Sequence, residues 1–230
     1  SLRPRWYGMT PATRQVLGQY WPMVAAAFLM GSTHVVSQSM ATMLDPGSVS
    51  ALAYGNKVTA VLLGVGATAV STAFLPHFSR MVAIAEWDGI RRALFTYTGL
   101  LLLLTIPLTG ILMYASEPLV ALLFQRGAFT ETDTRIVGQV QAMYLLQVPF
   151  YLVGMLFVRF VSALRSTHVM VWGNLINLMA CVALTYVLMR TVGVVGIALA
   201  TSVMYLISCG FLVAVSFFLL RIHSSKPTAT

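Results

Sequence analysis

Residues 48–80 read SVSALAYGNKVTAVLLGVGATAVSTAFLPHFSR. The apolar stretch at 49–81 that contains most of this segment has no acidic residue. It is longer than the about 20 residues a helix needs to cross a hydrocarbon core roughly 30 Å thick. Working outward, comparable runs occur at 16–44, 93–114, 132–161, 169–189 and 195–220, so the sequence predicts six spans. Composition agrees: 58% of the 230 residues are apolar and 9% charged, against about 45 to 50% and about 25% in soluble domains. A soluble globular fold is excluded. So is a β-barrel, because runs such as Gly99 to Pro107 lack the alternation of short strands. The expected fold is all-α, a polytopic membrane protein.

Breakers refine the outline. Asp45, Pro46 and Gly47 form a tight turn between the first two spans, Pro76 marks the end of the second span's membrane portion, and Pro107 and Pro149 predict kinks in the third and fourth. The run PLVALLFQ, within Glu117 to Phe129, is too short to span and reads as an interfacial or re-entrant turn of helix. The expected division is a basic cytoplasmic segment at 1–15, a transmembrane lobe at 16–221 and a cytoplasmic tail at 222–230. With Ser1 at its start and no signal-peptide core in its first residues, the chain is expected to be part of something longer.

Basic residues set the orientation. Arg3, Arg5, Arg14, Arg80, Arg91, Arg92, Arg159, Arg165, Arg221 and Lys226 fall on one side; Arg126, Arg135 and Arg190 fall on the other. The positive-inside rule places the first group, and both chain ends, in the cytoplasm. Trp6, Trp21, Trp87 and Trp172 lie near the same boundary, where amphipathic rings anchor membrane proteins. The net charge of +8 is thus topological. Its spread over separate loops excludes a nucleic-acid partner.

Thirteen of the fourteen lysines and arginines fall in loops or near span ends, and Lys57 is the exception. Counted from Ser48 at about 1.5 Å per residue, it lies roughly 13 Å deep, near the midplane. An isolated ammonium there costs about 2.5 to 3.5 kcal/mol, and such a residue ordinarily faces a wet cavity and serves function. Snorkelling to the interface is the alternative. With no intrahelical carboxylate to pair with, its natural partner is a substrate anion. Asn56 adjoins it, and Thr33, His34, Ser37 and Gln38 form a polar cluster on the first span, with His34 and Gln38 on one face. These residues either line the same cavity or serve as interhelical glue, the role assigned to Asn174 and Asn177. Gly64, Gly66, Gly196 and Ala200 are small residues suited to close helix contact. Arg159 is expected to reach the cytoplasmic rim as an anchor.

Other chemistries are missing from the sequence. Asp45, Glu86, Asp88, Glu117, Glu131 and Asp133 lie in loops or at span ends, which leaves no carboxylate proton relay. His34, His77, His168 and His223 lie on separate elements without HExxH, GxSxG or CxxC, so neither an enzyme nor a metal or cofactor site is expected. Cys181 and Cys209 read as small buried hydrophobes, not a disulfide.

Three stretches resemble the MurJ/MviN family of lipid II flippases, within the multidrug, oligosaccharidyl-lipid and polysaccharide exporter superfamily. They are Ser48 to Arg80, LFQRGAFTETDT (Leu123 to Thr134) and GVVGIALATS (Gly193 to Ser202). The resemblance covers essentially the whole chain as the second six-helix lobe of a MATE-like two-lobed transporter. It implies translocation of undecaprenyl-pyrophosphate-linked peptidoglycan precursor across the bacterial inner membrane by alternating access. The implied partners are that lipid-linked glycan pyrophosphate, membrane lipids, a missing N-terminal lobe and cell-wall synthesis enzymes. Lys57, with Asn56, His34 and Gln38, then forms the substrate site, Lys57 replacing the arginine usual after Asn in the family. Arg159 to Trp172 also departs, lacking the family's Asp and Pro. Another lipid-linked oligosaccharide, or a non-transporting scaffold for cell-wall enzymes, are the alternatives.

Overall fold

The structure, a computed structural model, describes Val24, Phe28 and residues 31–127, 129–164 and 167–224. Its helices are α1, described over residues 31–41, then α2 (Ser48–Ala83), α3 (Trp87–Tyr114), α4 (Ser116–Phe124), α5 (Glu131–Leu145), α6 (Gln147–Ala163), α7 (Thr167–Val192) and α8 (Val194–Ser224). Among the described residues there is no strand. Five segments are long and apolar enough to cross a membrane: Ser48–Ala83, Trp87–Tyr114, Glu131–Ala163, Val171–Val192 and Val194–Ile222. They correspond to the second through sixth expected spans. Residues 16–23, 25–27, 29 and 30 of the first span lie outside the described residues, as do the segment at 1–15 and the tail beyond Ser224.

The prolines act unequally. Helices α2 and α3 run through Pro76 and Pro107 without interruption. The fourth span breaks at Leu146, between α5 and α6. Pro149 follows in the first turn of α6, where its missing N–H leaves no bond for the carbonyl one turn back. The short run is helix α4, nine residues long and so about 14 Å, too short to span. Helix α5 starts with a capping box: the Asp133 amide donates to Thr130 Oγ1 at 3.2 Å, and the Thr130 amide donates to Asp133 Oδ2 at 2.9 Å.

Helices α5 and α6 run through the middle of the bundle. In their membrane-crossing window 61% of residues are buried, against 11% for α2. Leu145, Val148, Leu152, Leu156 and Phe160 form a core with Phe78 of α2, Ile90 and Leu94 of α3, and Leu212 and Leu220 of α8. Inside lipid such helices are held by close packing and hydrogen bonds rather than by expulsion of water.

Small residues set the approach distances, although not all those expected. A Cβ on Gly66 would meet Leu152 at 2.6 Å, one on Gly55 would meet Val140 at 2.6 Å, and one on Gly196 would run into the Leu188 carbonyl. Gly64 is the correction: nothing lies within 4 Å of the position its Cβ would take. Two positions from Gly66 means about 200° around the helix, which turns Gly64 to the opposite face. Polar ties are few. Asn177 Nδ2 donates to Ser208 Oγ at 3.2 Å, joining α7 to α8, and Ser202 Oγ donates to the Met143 carbonyl at 2.5 Å, joining α8 to α5.

Candidate functional site

Lys57 lies nearly three turns into α2, on a face the rest of the bundle does not cover. Helical side chains lean toward the N-terminus of their own helix, and the Lys57 ammonium accordingly sits over the Tyr54 ring, 4.5 Å from its centroid. The Phe124 ring, at the last residue of α4, lies 5.5 Å from the same nitrogen. These two rings meet edge to face with centroids 5.2 Å apart. The charge thus rests on an aromatic shelf, one turn nearer the start of α2 than its Cα. Such contacts contribute about 0.5 to 2 kcal/mol, too little to neutralise an ammonium.

Tyr54 and Phe124 are the parts of this site that the sequence reading missed. Tyr54 was legible in principle, since i and i+3 share a helix face. Phe124 was not: it reaches Lys57 only because α4 folds back against the bundle.

On α1, Gln38 Nε2 and His34 Nε2 lie 3.3 Å apart, and both residues are exposed. The stripe of α1 directly beside them packs inward, with Ser37 Oγ 3.6 Å from Cys181 Sγ and Ala41 buried beside Leu52 and Val140. Asn56 is half-buried beside Lys57. Among the described residues no hydrogen bond joins the α1 pair to Lys57 or Asn56. Cys181 and Cys209 are both free and buried. Cys181 is nonetheless set among polar atoms, 3.7 Å from the Thr33 carbonyl and 3.9 Å from Thr185 Oγ1.

Around Lys57 the uncovered face of α2 is made of small residues: Ala53, Ala60, Gly64, Thr68, Ala69 and Thr72 are all exposed, with Val61 and Val65 among them. At the far end of the bundle Arg91 and Arg221 converge with Trp87 and Asp88 on one shallow cavity. Arg159 stands about one turn from the end of α6. It is half-buried, with Nη2 donating toward Met155 Sδ at 3.8 Å.

A protein-family model described as lipid II flippase MurJ matches residues 1–226. A protein of Thermotoga maritima named probable lipid II flippase MurJ is 30% identical over 210 residues, which is 91% of this chain and 42% of that protein. One of the same name from Helicobacter pylori (strain J99) is 33% identical over 188 residues, 80% of this chain and 40% of that protein. The chain therefore spans about two fifths of the length of the curated relatives it matches. Among solved structures, a lipid II flippase MurJ in an inward closed conformation superposes with a TM-score of 0.74 at 23% identity, covering 95% of this chain and 50% of that one. An outward-facing multidrug resistance MATE family transporter superposes with a TM-score of 0.70 at 18% identity, covering 88% and 44%. These two likenesses establish the shared fold.

Proposed function

The chain belongs to the MurJ family of lipid II flippases, and from that premise we propose that it forms one lobe of a two-lobed transporter that carries lipid-linked peptidoglycan precursor across the bacterial inner membrane. Lys57 holds the pyrophosphate, with Asn56, His34 and Gln38 lining the same passage. The second lobe, supplied by the rest of the protein, closes against the uncovered face of α2, and alternating access follows from rocking of one lobe on the other. The chain does no covalent chemistry in this scheme.

One observation carries the reading: a cation within a span is presented on an uncovered helix face and held by two aromatic rings instead of a carboxylate. A charge left in this way is available to an incoming anion. At an effective dielectric near 20 the attraction at 4 Å is about 4 kcal/mol before desolvation, more than the rings supply. Release then depends on movement of the lobes, because an anion beside Lys57 favours its charged form.

The orientation proposed puts Arg80, Arg91, Arg92 and Arg221 in the cytoplasm with both chain ends. A cysteine introduced at Gly47 is expected to react with an impermeant reagent from outside the cell; reaction only from the cytoplasm would overturn this topology. For the site itself, Lys57→Ala in the full-length protein is expected to abolish rescue of a flippase-depleted strain at normal membrane levels. Lys57→Arg should keep it, and Lys57→Glu should be worst. Full rescue by Lys57→Ala would remove Lys57 from the mechanism. Lysine in place of the family's arginine loses a bidentate fork for phosphate, which favours, as the second reading, a related lipid-linked oligosaccharide as cargo. Transport assays with both classes of lipid separate the two, and a protein that moves neither would be a scaffold for cell-wall enzymes.

A further inference from the structure

At the end of the bundle where α2 begins, three turns surround a crevice of about 660 Å³. The α1–α2 turn gives it Asp45, the α4–α5 loop gives it Arg126 and Phe129, and Tyr54 and Phe124 form its floor. Two of these turns are made by glycines in the left-handed region, Gly47 at φ 97° and Gly193 at φ 66°, both lining the crevice with open space where a Cβ would stand. The backbone is thus free of side chains on two sides of the opening.

The lining has a distinct chemistry. Tyr54 meets Phe124 and Phe129 edge to face, at 5.2 and 5.9 Å, so three rings present apolar surface to one volume. Asp45 and Asp133 supply carboxylates, and Thr130 binds Asp133 only at Oδ2, leaving Oδ1 for another donor. Arg126 adds one fork of donors. Two carboxylates disfavour a phosphate here. Rings with carboxylates and a guanidinium suit a neutral ring that is apolar on its faces and rich in hydroxyl and amide groups at its edge. The volume lies within the range of small-molecule pockets, about 300 to 1,000 Å³.

Position completes the case. Tyr54 and Phe124 serve both places at once: they carry the Lys57 ammonium and they floor the crevice. A ligand whose anion sits at Lys57 therefore has its adjoining group one ring-layer away, toward the start of α2. In a lipid-linked glycan the pyrophosphate is bonded to a sugar on one side and to the lipid chain on the other, and two carboxylates with a guanidinium suit the sugar, not the lipid chain. We propose that this crevice is the seat of the carbohydrate ring adjoining the anion held by Lys57. The proposal rests on the reading of Lys57 given above, and it adds a specificity site for the cargo's headgroup made by Tyr54, Phe129, Asp45 and Arg126.

The test uses the full-length protein in lipid nanodiscs and, as probe, a soluble disaccharide of N-acetylated amino sugars carrying neither lipid nor pyrophosphate. Ligand-observed NMR titration is expected to show saturable binding, weakened at least fivefold by Asp45→Asn and by Phe129→Ala. Because Phe129 also packs against the core, Ser50→Trp provides a second route: Ser50 is exposed and lines the crevice, so a ring there fills the site without removing packing. It should reduce binding by the same factor while thermal unfolding stays unchanged. No saturable binding, or equal binding by all three variants, would overturn the proposal. Translocation measured in parallel separates the two readings. Loss of translocation in Lys57→Ala without disaccharide binding by the parent protein overturns the crevice alone. Disaccharide binding that Ser50→Trp blocks, in a protein that moves no lipid-linked precursor, supports the crevice and overturns the transport reading.

Discussion

Helices α2 and α3 are alike in apolarity and both long enough to cross a membrane, yet they leave different surfaces uncovered. On α3 the uncovered residues include Phe95, Leu100, Leu103, Leu104, Ile106 and Ile111. On α2 they include Lys57 and the run of alanine, glycine and threonine around it, interrupted by Val61 and Val65. Large flexible side chains suit fluid acyl chains. Small residues and hydroxyls suit close approach by another protein surface or a wet passage. Hydropathy alone reports how apolar a helix is, not what it faces, and here two helices with the same signal present different surfaces.

The sharpest way to break this comparison is to place the same bulky residue on both faces. Gly64→Trp is expected to reduce translocation by the full-length protein at least a hundredfold with normal membrane levels, whereas Leu104→Trp should stay within twofold. Equal effects would mean that α2 also faces lipid. Chemical access gives a smaller contrast: a cysteine at Ala60 should react with a water-soluble maleimide at least ten times faster than one at Leu104. The two native thiols are buried, so they serve as a slow background.

The third prediction concerns the two sides of α2 itself. Gly66→Leu forces a side chain into Leu152 and should destabilise the lobe by about 1 to 3 kcal/mol, read as a lower midpoint of thermal unfolding. Gly64→Leu meets open space and should change that midpoint by less than about 0.5 kcal/mol. A similar loss from both would mean that α2 is rotated relative to its position here. The smallest effect belongs to the interior of α5. Gln141 is fully buried and, among the described residues, its amide nitrogen and oxygen have no hydrogen-bond partner. Removing an unpaired amide relieves a penalty of about 1 to 3 kcal/mol, part of which a less perfect fit consumes. Gln141→Leu should therefore raise stability by about 1 kcal/mol, and a loss in the same unfolding assay would contradict it.

Much of the fold was legible because spans, breakers and buried amides leave one-dimensional marks. Runs of apolar residues located five helices to within a few positions at most of their ends. Asn177 was marked as interhelical glue and does bond Ser208. The prolines differ in their placement: Pro149 falls in a first turn beside a break, while Pro107 lies within an unbroken helix. The site was legible only in its charge. Lys57 announces itself by being the one cation far from any span end, but nothing in the order of residues brings Phe124 to it or says which of Gly64 and Gly66 faces the bundle. Those facts depend on rotation about a helix axis and on how a short helix folds back, and both are settled by packing partners distant in the chain.

On the anion-binding role proposed for Lys57, the aromatic shelf under it also bears on the speed of exchange. A lysine paired with a carboxylate must lose that partner before it can accept an anion, and the bond lost sets a barrier to arrival. An ammonium resting on ring quadrupoles gives up little when an anion comes, and the rings stay in place to receive it again when the anion leaves. Capture and discharge can then both be fast, with occupancy governed by the geometry around the charge rather than by competition from a built-in counter-ion.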